Sequence, residues 1–365
     1  MQNQYPNNLN YNQIIWVSDL NLFIGTGGLY NYSAYSYTAT SYGINISIDG
    51  INWKNAQSLQ YAGNDYSLNL AYSPSLKIIV GYTFWKLYYS YDGYTWYNKG
   101  YQTSSNPLSF TSVCWANSLN LFVAIAKSGY INRIITSSDG DTWYEQIAPT
   151  DNDLESIVWS PELSLFVAVS STGNNNRVIT SNDGINWIIR HTPNSNNWKS
   201  ICWSSILNLF VAVANSGNIT YKSDDAGYII NSRIMTSIDG KIWVASKLEL
   251  FNNWSSICWA GSINKYIAVA NSGNLDRVIT SIDGLSWIVQ TAASDNNWTS
   301  ICWSDNLNLG VAVSNSGTNN RIMTTNNGIN WTSQISPADN NWTSVCRGRI
   351  DVGLLTEKEI FVAVS

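Results

Sequence analysis

The sequence predicts an all-β fold: a seven-bladed β-propeller of four-stranded antiparallel blades, with an extra partial blade of two strands at the C-terminus. Three observations predict it. A Ser-x-Asp-Gly-x-x-Trp motif returns about every 44 residues, two β-rich runs precede each copy, and no long stretch carries the period of an amphipathic helix. The whole chain, 1–365, is expected to form a single domain.

The motif occupies 47–53, 90–96, 137–143, 181–187, 237–243, 281–287 and 325–331. Its turn acids are Asp49, Asp92, Asp139, Asp183, Asp239 and Asp283, with Asn327 in the last copy, at spacings of 43, 47, 44, 56, 44 and 44 residues. Asp-Gly or Asn-Gly between two strand-forming runs marks a tight hairpin, because Gly tolerates positive φ and the Asp or Asn side chain bonds nearby backbone amides. Each motif therefore joins a third strand, such as Arg277 to Thr280, to a fourth that opens on the Trp.

The first and second strands come from the two runs ahead of the hairpin. Trp298 to Trp303 and Leu209 to Ala214 exemplify them, both short and rich in β-branched or aromatic residues. The continuous apolar second run fits a strand covered on both faces, as where blade packs on blade. The opening pair occurs an eighth time, in the partial repeat 342–365, without a hairpin. There Arg347 stands where other copies have Trp, so an added partial blade, a closing strap and a disrupted repeat are all open readings, with closure expected near Tyr11 to Ile24.

Composition limits function. Only 12% of residues are charged, 18 are Trp and 22 are Tyr, and the net charge is -5. A nucleic-acid binder needs a basic stripe that displaces counterions, so nucleic acid is not an expected partner. Residues 1–10 lack a basic and apolar leader pattern, and no run of 18 apolar residues follows, so neither a classical signal peptide nor membrane insertion is expected. Cys114, Cys202, Cys258, Cys302 and Cys346 share one repeat position that is Val158 in another copy. That is the pattern of a small apolar packing slot, with thiols reduced in an intracellular or virion-associated setting. No cofactor or metal is expected.

The hairpin motif resembles the Asp-box, or BNR repeat, of sialidases and related propellers, and the repeats are similar to those of photosystem-assembly-factor-type propellers. The likeness spans nearly the whole chain, although here no residue separates Asp from Gly. It implies that Ser and Asp knit the hairpin while the Trp packs beneath. A sialidase-type centre would also need three convergent arginines, a tyrosine with a carboxylate partner and an acid, and no Arg-Ile-Pro signature is found near the start. Enrichment in Asn, Ile and Tyr is similar to that of propellers encoded by AT-rich genomes, including large DNA viruses.

If the hairpins lie on one face, the second-to-third loops and interblade loops lie on the other, here called the open face. Trp198, Trp254, Trp298 and Trp342 follow Asn-rich turns there, placed either to stack on sugar rings or to close the gap between blades. Arg133, Arg177, Arg233, Arg277 and Arg321 each stand six residues before the hairpin Asp or Asn, with Lys86 at the same offset. They would form a cradle for an anion or pair between blades. Two irregular loops are further binding candidates, one with Tyr30, Tyr32, Tyr35 and Tyr37, the other with Asp224 and Asp225. His191 is the sole histidine and has no evident orienting partner, so no catalytic residue is assigned. The expected function is non-catalytic binding or scaffolding of a glycan or protein through the open face. The alternatives are a glycoside hydrolase or lyase of the Asp-box type and a structural assembly protein of a virion or appendage.

Overall fold

The computed structural model describes residues 9–33, 36–60, 68–82, 86–99, 108–129, 131–217, 232–248, 250–351 and 357–365. Among these, the strands form seven four-stranded antiparallel sheets, each built from consecutive strands, and one two-stranded sheet of Ser344–Asp351 and Glu357–Val364. The fourth blade is representative, with strands Leu154–Ser160, Leu165–Ser170, Val178–Ser181 and Ile188–Arg190. Burial falls from the middle of the blade outward. The second and third strands are buried throughout, whereas Ile188 and Ile189 of the fourth are exposed. No helix among the described residues is long and apolar enough to cross a membrane.

The third to sixth blades are each pinned by a short aromatic stack that the repeat encodes. Trp159 of the first strand lies 4.4 Å, centroid to centroid, from Phe166 of the second, which lies 6.1 Å from the hairpin Trp187. The fifth blade repeats the arrangement with Trp203, Phe210 and Trp243. Such pairs add about 1 kcal/mol beyond area burial.

Neighbouring blades are joined at their first strands. A hydroxyl on each of several first strands donates to a carbonyl at or just before the first strand of the next: Thr111 Oγ1 to Leu154 O at 2.7 Å, Ser255 Oγ to Trp298 O at 2.6 Å, and Thr299 Oγ1 to Trp342 O at 2.7 Å. The two-stranded sheet continues the series. Thr343 Oγ1 donates to Tyr11 O at 2.7 Å, and Tyr11 N donates to Ser365 O at 3.1 Å. Val362 and Val364 share a core with Tyr11, Phe23 and Trp53 of the first blade. Gly348 permits this closeness, since a β-carbon there would lie 2.5 Å from Phe23 Cζ and from Trp16 Cδ2.

Of the three readings the sequence left open for the tail, the geometry selects the partial blade. It fills an eighth position between the seventh blade and the first, rather than lying outside the ring as a strap. Arg347, in the place of the usual Trp, reaches Glu359 at 3.2 Å, and Glu359 also accepts from Ser304 and Asn306 of the seventh blade. A polar tie has replaced an aromatic stack.

Candidate functional surface

The hairpins are closed by the same bonds in copy after copy. At Asp183, Oδ1 accepts from the backbone amides of Ile185 and Asn186, each at 2.8 Å, and from Ser181 Oγ at 2.9 Å. The Ser181 hydroxyl in turn accepts from Gly184 N at 2.8 Å, and Trp187 Nε1 donates to Gly184 O at 2.9 Å. Gly184 has φ of 75°, a conformation costly for any residue with a β-carbon. Burial pushes the Asp183 carboxyl up, but the bonds from Asn186, Ile185 and Ser181 outweigh it and hold the group at about 2; Asp49 is held likewise. Asn327 makes the same two backbone contacts, at 2.8 and 2.9 Å, without a charge. These side chains are committed to the turn.

On the open face the arginines are similarly committed. Arg177 donates to Gly173 O, Ser171 O and, across the blade boundary, Asn197 Oδ1 at 2.8 Å. Arg277 donates to Gly273 O, Asn271 O, Asn296 O and Asn297 Oδ1. Arg321 bonds Gly317 O and Asn340 O, Arg233 bonds Phe251 O and Asn253 Oδ1, and Arg133 meets Asp153 Oδ1 at 2.6 Å. Each guanidinium thus ties the second-to-third loop or third strand of one blade to the interblade turn entering the next. Of the two placements the sequence allowed, the observed one is between blades.

The tryptophans lie in the same seams. Trp198, Trp254 and Trp298 are 0% exposed and Trp342 is 6% exposed. Trp198 lies in one core with Val178 of the preceding blade, and Trp254 in one core with Ile234 of the preceding blade. Their ring faces are covered by neighbouring blades, so the sugar-stacking placement at the mouth is replaced by a packing one. The adjoining Asn side chains are also used, with Asn252 Nδ2 bonding Asp276 O and Asn296 Nδ2 bonding Asn320 O. Tyr35, Asp224 and Asp225 lie outside the described residues, and the side chains of Tyr30, Tyr32 and Tyr37 are likewise not described.

The five cysteines are half-buried rather than enclosed, each lying along the seam toward the following blade. Burial pushes their thiols up, Cys302 to about 11 and Cys202 to about 12, so they stay protonated at neutral pH and are poor nucleophiles. Among the described residues no group of three or more His, Cys, Asp or Glu could hold a metal ion.

The surface that sequence reasoning missed is the hairpin face. Among the described residues, thirteen exposed large apolar side chains sit on hairpins or on the first-to-second turns beside them. Ile48, Tyr91, Ile238 and Ile282 occupy the second motif position of their hairpins, with Ile238 71% exposed and Ile282 65% exposed. Leu119, Ile206 and Leu307 project from the neighbouring turns. The signal was present as Ser-Ile-Asp-Gly, where turn chemistry asks nothing of the Ile. Single exposed apolar residues are ordinary, but recurrence at one position on adjacent blades builds a patch.

Among solved structures, the chain is similar to Saccharomyces cerevisiae Sqt1 at 11% identity and a TM-score of 0.66, covering 100% of this chain and 96% of that one. It is also similar to the Neurospora crassa Pan2 WD40 domain, at 10% identity, a TM-score of 0.55 and 93% coverage of each chain. A chain of the mitotic checkpoint complex is similar at 12% identity and a TM-score of 0.53, with 83% of each covered. At these identities the likeness establishes the β-propeller fold and nothing finer. No family model matches the chain, and no curated protein does.

Proposed function

We propose that this propeller is a non-catalytic platform for protein partners, engaged chiefly through its hairpin face. The observation that carries the reading is the recurrence of exposed Ile, Leu and Tyr at equivalent positions of that face, since apolar and aromatic anchors dominate protein recognition. The proposal moves the binding surface away from the open face, whose described Arg, Trp and Asn side chains are spent between blades. The same accounting weighs against a glycan, which needs free aromatic faces and free amides. Kinship with Asp-box propellers is part of the proposal, supported by the Ser, Asp, Gly and Trp bonding in the hairpins.

The test compares wild type with an Ile238→Lys/Ile282→Lys double variant and with Asn274→Lys on the open face, using quantitative co-purification from native extract alongside a glycan array. Partners retained by wild type and Asn274→Lys but lost by the double variant, at unchanged melting temperature, support the proposal. Full retention by the double variant, or saturable glycan binding without any protein partner, contradicts it.

A further inference from the structure

Charge is divided unevenly between the two ends of the blades. The seven hairpins and the seven first-to-second turns beside them hold ten carboxylates: the six hairpin aspartates with Asp141, and Asp19, Glu162 and Asp305 on the turns. Against these stand two lysines, Lys77 and Lys241, a balance of -8 on one end of a chain whose net charge is -5. Counting Lys54 and Lys265, at the strand ends next to these turns, still leaves -6. On the open end opposite charges stand together instead. Arg133 meets Asp153 at 2.6 Å, Arg277 meets Asp295 at 3.5 Å and Arg321 meets Asp339 at 3.6 Å.

The hairpin acids are charged at neutral pH. Burial pushes the carboxyls of Asp92, Asp139, Asp239 and Asp283 up, but the amides of their own turns outweigh it and hold them below the ordinary carboxylate value. An amide that donates to a carboxylate fixes the charge in place without cancelling it. The acids also alternate with the exposed apolar side chains. In hairpins 47–53, 90–96 and 281–287 the aspartate stands between two of them: Ile48 and Ile51, Tyr91 and Tyr94, Ile282 and Leu285. Asp19, Glu162 and Asp305 are exposed on the turns around them. A face that mixes apolar anchors with unbalanced negative charge selects its partner by sign. Nucleic acid and anionic lipid headgroups are repelled. A neutral apolar partner would have to desolvate the acids without offering them a counter-charge.

We propose that the hairpin face takes a basic polypeptide segment in which Lys or Arg is interspersed with apolar side chains. The apolar side chains of the segment cover the exposed Ile and Leu, while its cations answer the acids between them. Long basic side chains suit both tasks, because their stems lie along apolar surface and their heads stay at the charge. Arg has the further option of stacking on the exposed rings of Tyr91 and Tyr94. The unbalanced charge acts mainly on association, drawing the segment in from solution, and the apolar contacts hold it once docked. The inference rests on the assignment of binding to the hairpin face and adds the chemistry of the partner.

The test pans the full chain against a displayed library of short random peptides and measures the selected peptides in solution by fluorescence anisotropy. The expected selection is rich in Lys and Arg set among apolar residues, and its binding weakens steeply with salt. Replacing the Lys and Arg of a selected peptide by Gln, which leaves the protein untouched, should weaken binding about tenfold or more. An Asp19→Asn/Glu162→Gln/Asp305→Asn variant keeps acceptor oxygens for Trp203 Nε1 and Ser262 N, and should bind about fivefold more weakly at low salt with a flatter salt dependence. Selection of neutral or acidic peptides, no selection at all, or binding indifferent to both sets of neutral substitutions overturns the proposal. Neutral or acidic peptides that Ile238→Lys/Ile282→Lys releases would overturn the partner's chemistry and leave the hairpin face as the site. Peptides released only by Asn274→Lys would overturn both.

Discussion

Replacing Asp183 by Ala or by Asn separates two contributions that the hairpin acid makes. Asp183→Ala leaves the amides of Ile185 and Asn186 without their acceptor and removes the Ser181 and Asn186 side-chain contacts. The site is partly open to water, which can solvate the amides, so the loss resembles that of a helix-capping side chain, about 1–2 kcal/mol. Asp183→Asn keeps an Oδ1 acceptor in the geometry that Asn327 already uses, and should cost less than about 1 kcal/mol. The two variants also differ in pH dependence. The folded carboxyl is held at about 2, below its ordinary value of 3.8, so its stabilisation is complete above about 4 and is lost as pH falls through about 2. Urea unfolding of the wild type and both variants at pH 7 and across pH 4 to 2 measures both effects. The Asn variant should lose less stability than wild type over the acid range. Equal damage from Ala and Asn at pH 7, or an unchanged acid slope in the Asn variant, would refute the assignment.

Other consequences follow from the seams between blades. Arg277→Met should cost about 2–3 kcal/mol by leaving the carbonyls of Gly273 and Asn296 short of a charged donor, and Arg277→Lys should recover under half of it because a point charge cannot reproduce the guanidinium fork. Denaturant midpoints check both. Thr343→Val, at the seam between the partial blade and the first blade, and Thr299→Val, between the seventh blade and the partial one, should each cost about 1 kcal/mol. A negligible effect at Thr343 alone would show that the last sheet is not a working member of the ring.

Much of the architecture was legible because the hairpin chemistry is local. Ser181, Asp183, Gly184 and Trp187 interact within seven residues, so their spacing carries their geometry directly. The eighth opening pair was visible for the same reason. Its position in the ring was not, since Thr343 meets Tyr11 from the opposite end of the chain and no short-range pattern encodes that contact. The direction of Arg277 and Trp298 was hidden by the same limit. A strand pattern assigns a side chain to a face of its sheet, but whether that face meets solvent or a neighbouring blade depends on how the sheets are arrayed. The exposed Ile238 and Ile282 illustrate the converse. Their residue type was in plain view, yet a motif read for its turn chemistry drew attention only to the positions the turn requires.

A protein platform working through its hairpin face leaves a footprint there when a partner binds. Hydrogen–deuterium exchange with mass spectrometry on the full chain, free and partner-bound, should show slowed exchange in 237–243 and 281–287. Exchange in the open-face loops 171–176 and 271–276 should be unchanged. Protection confined to those open-face loops, with the hairpins exchanging as in the free protein, would contradict the claim.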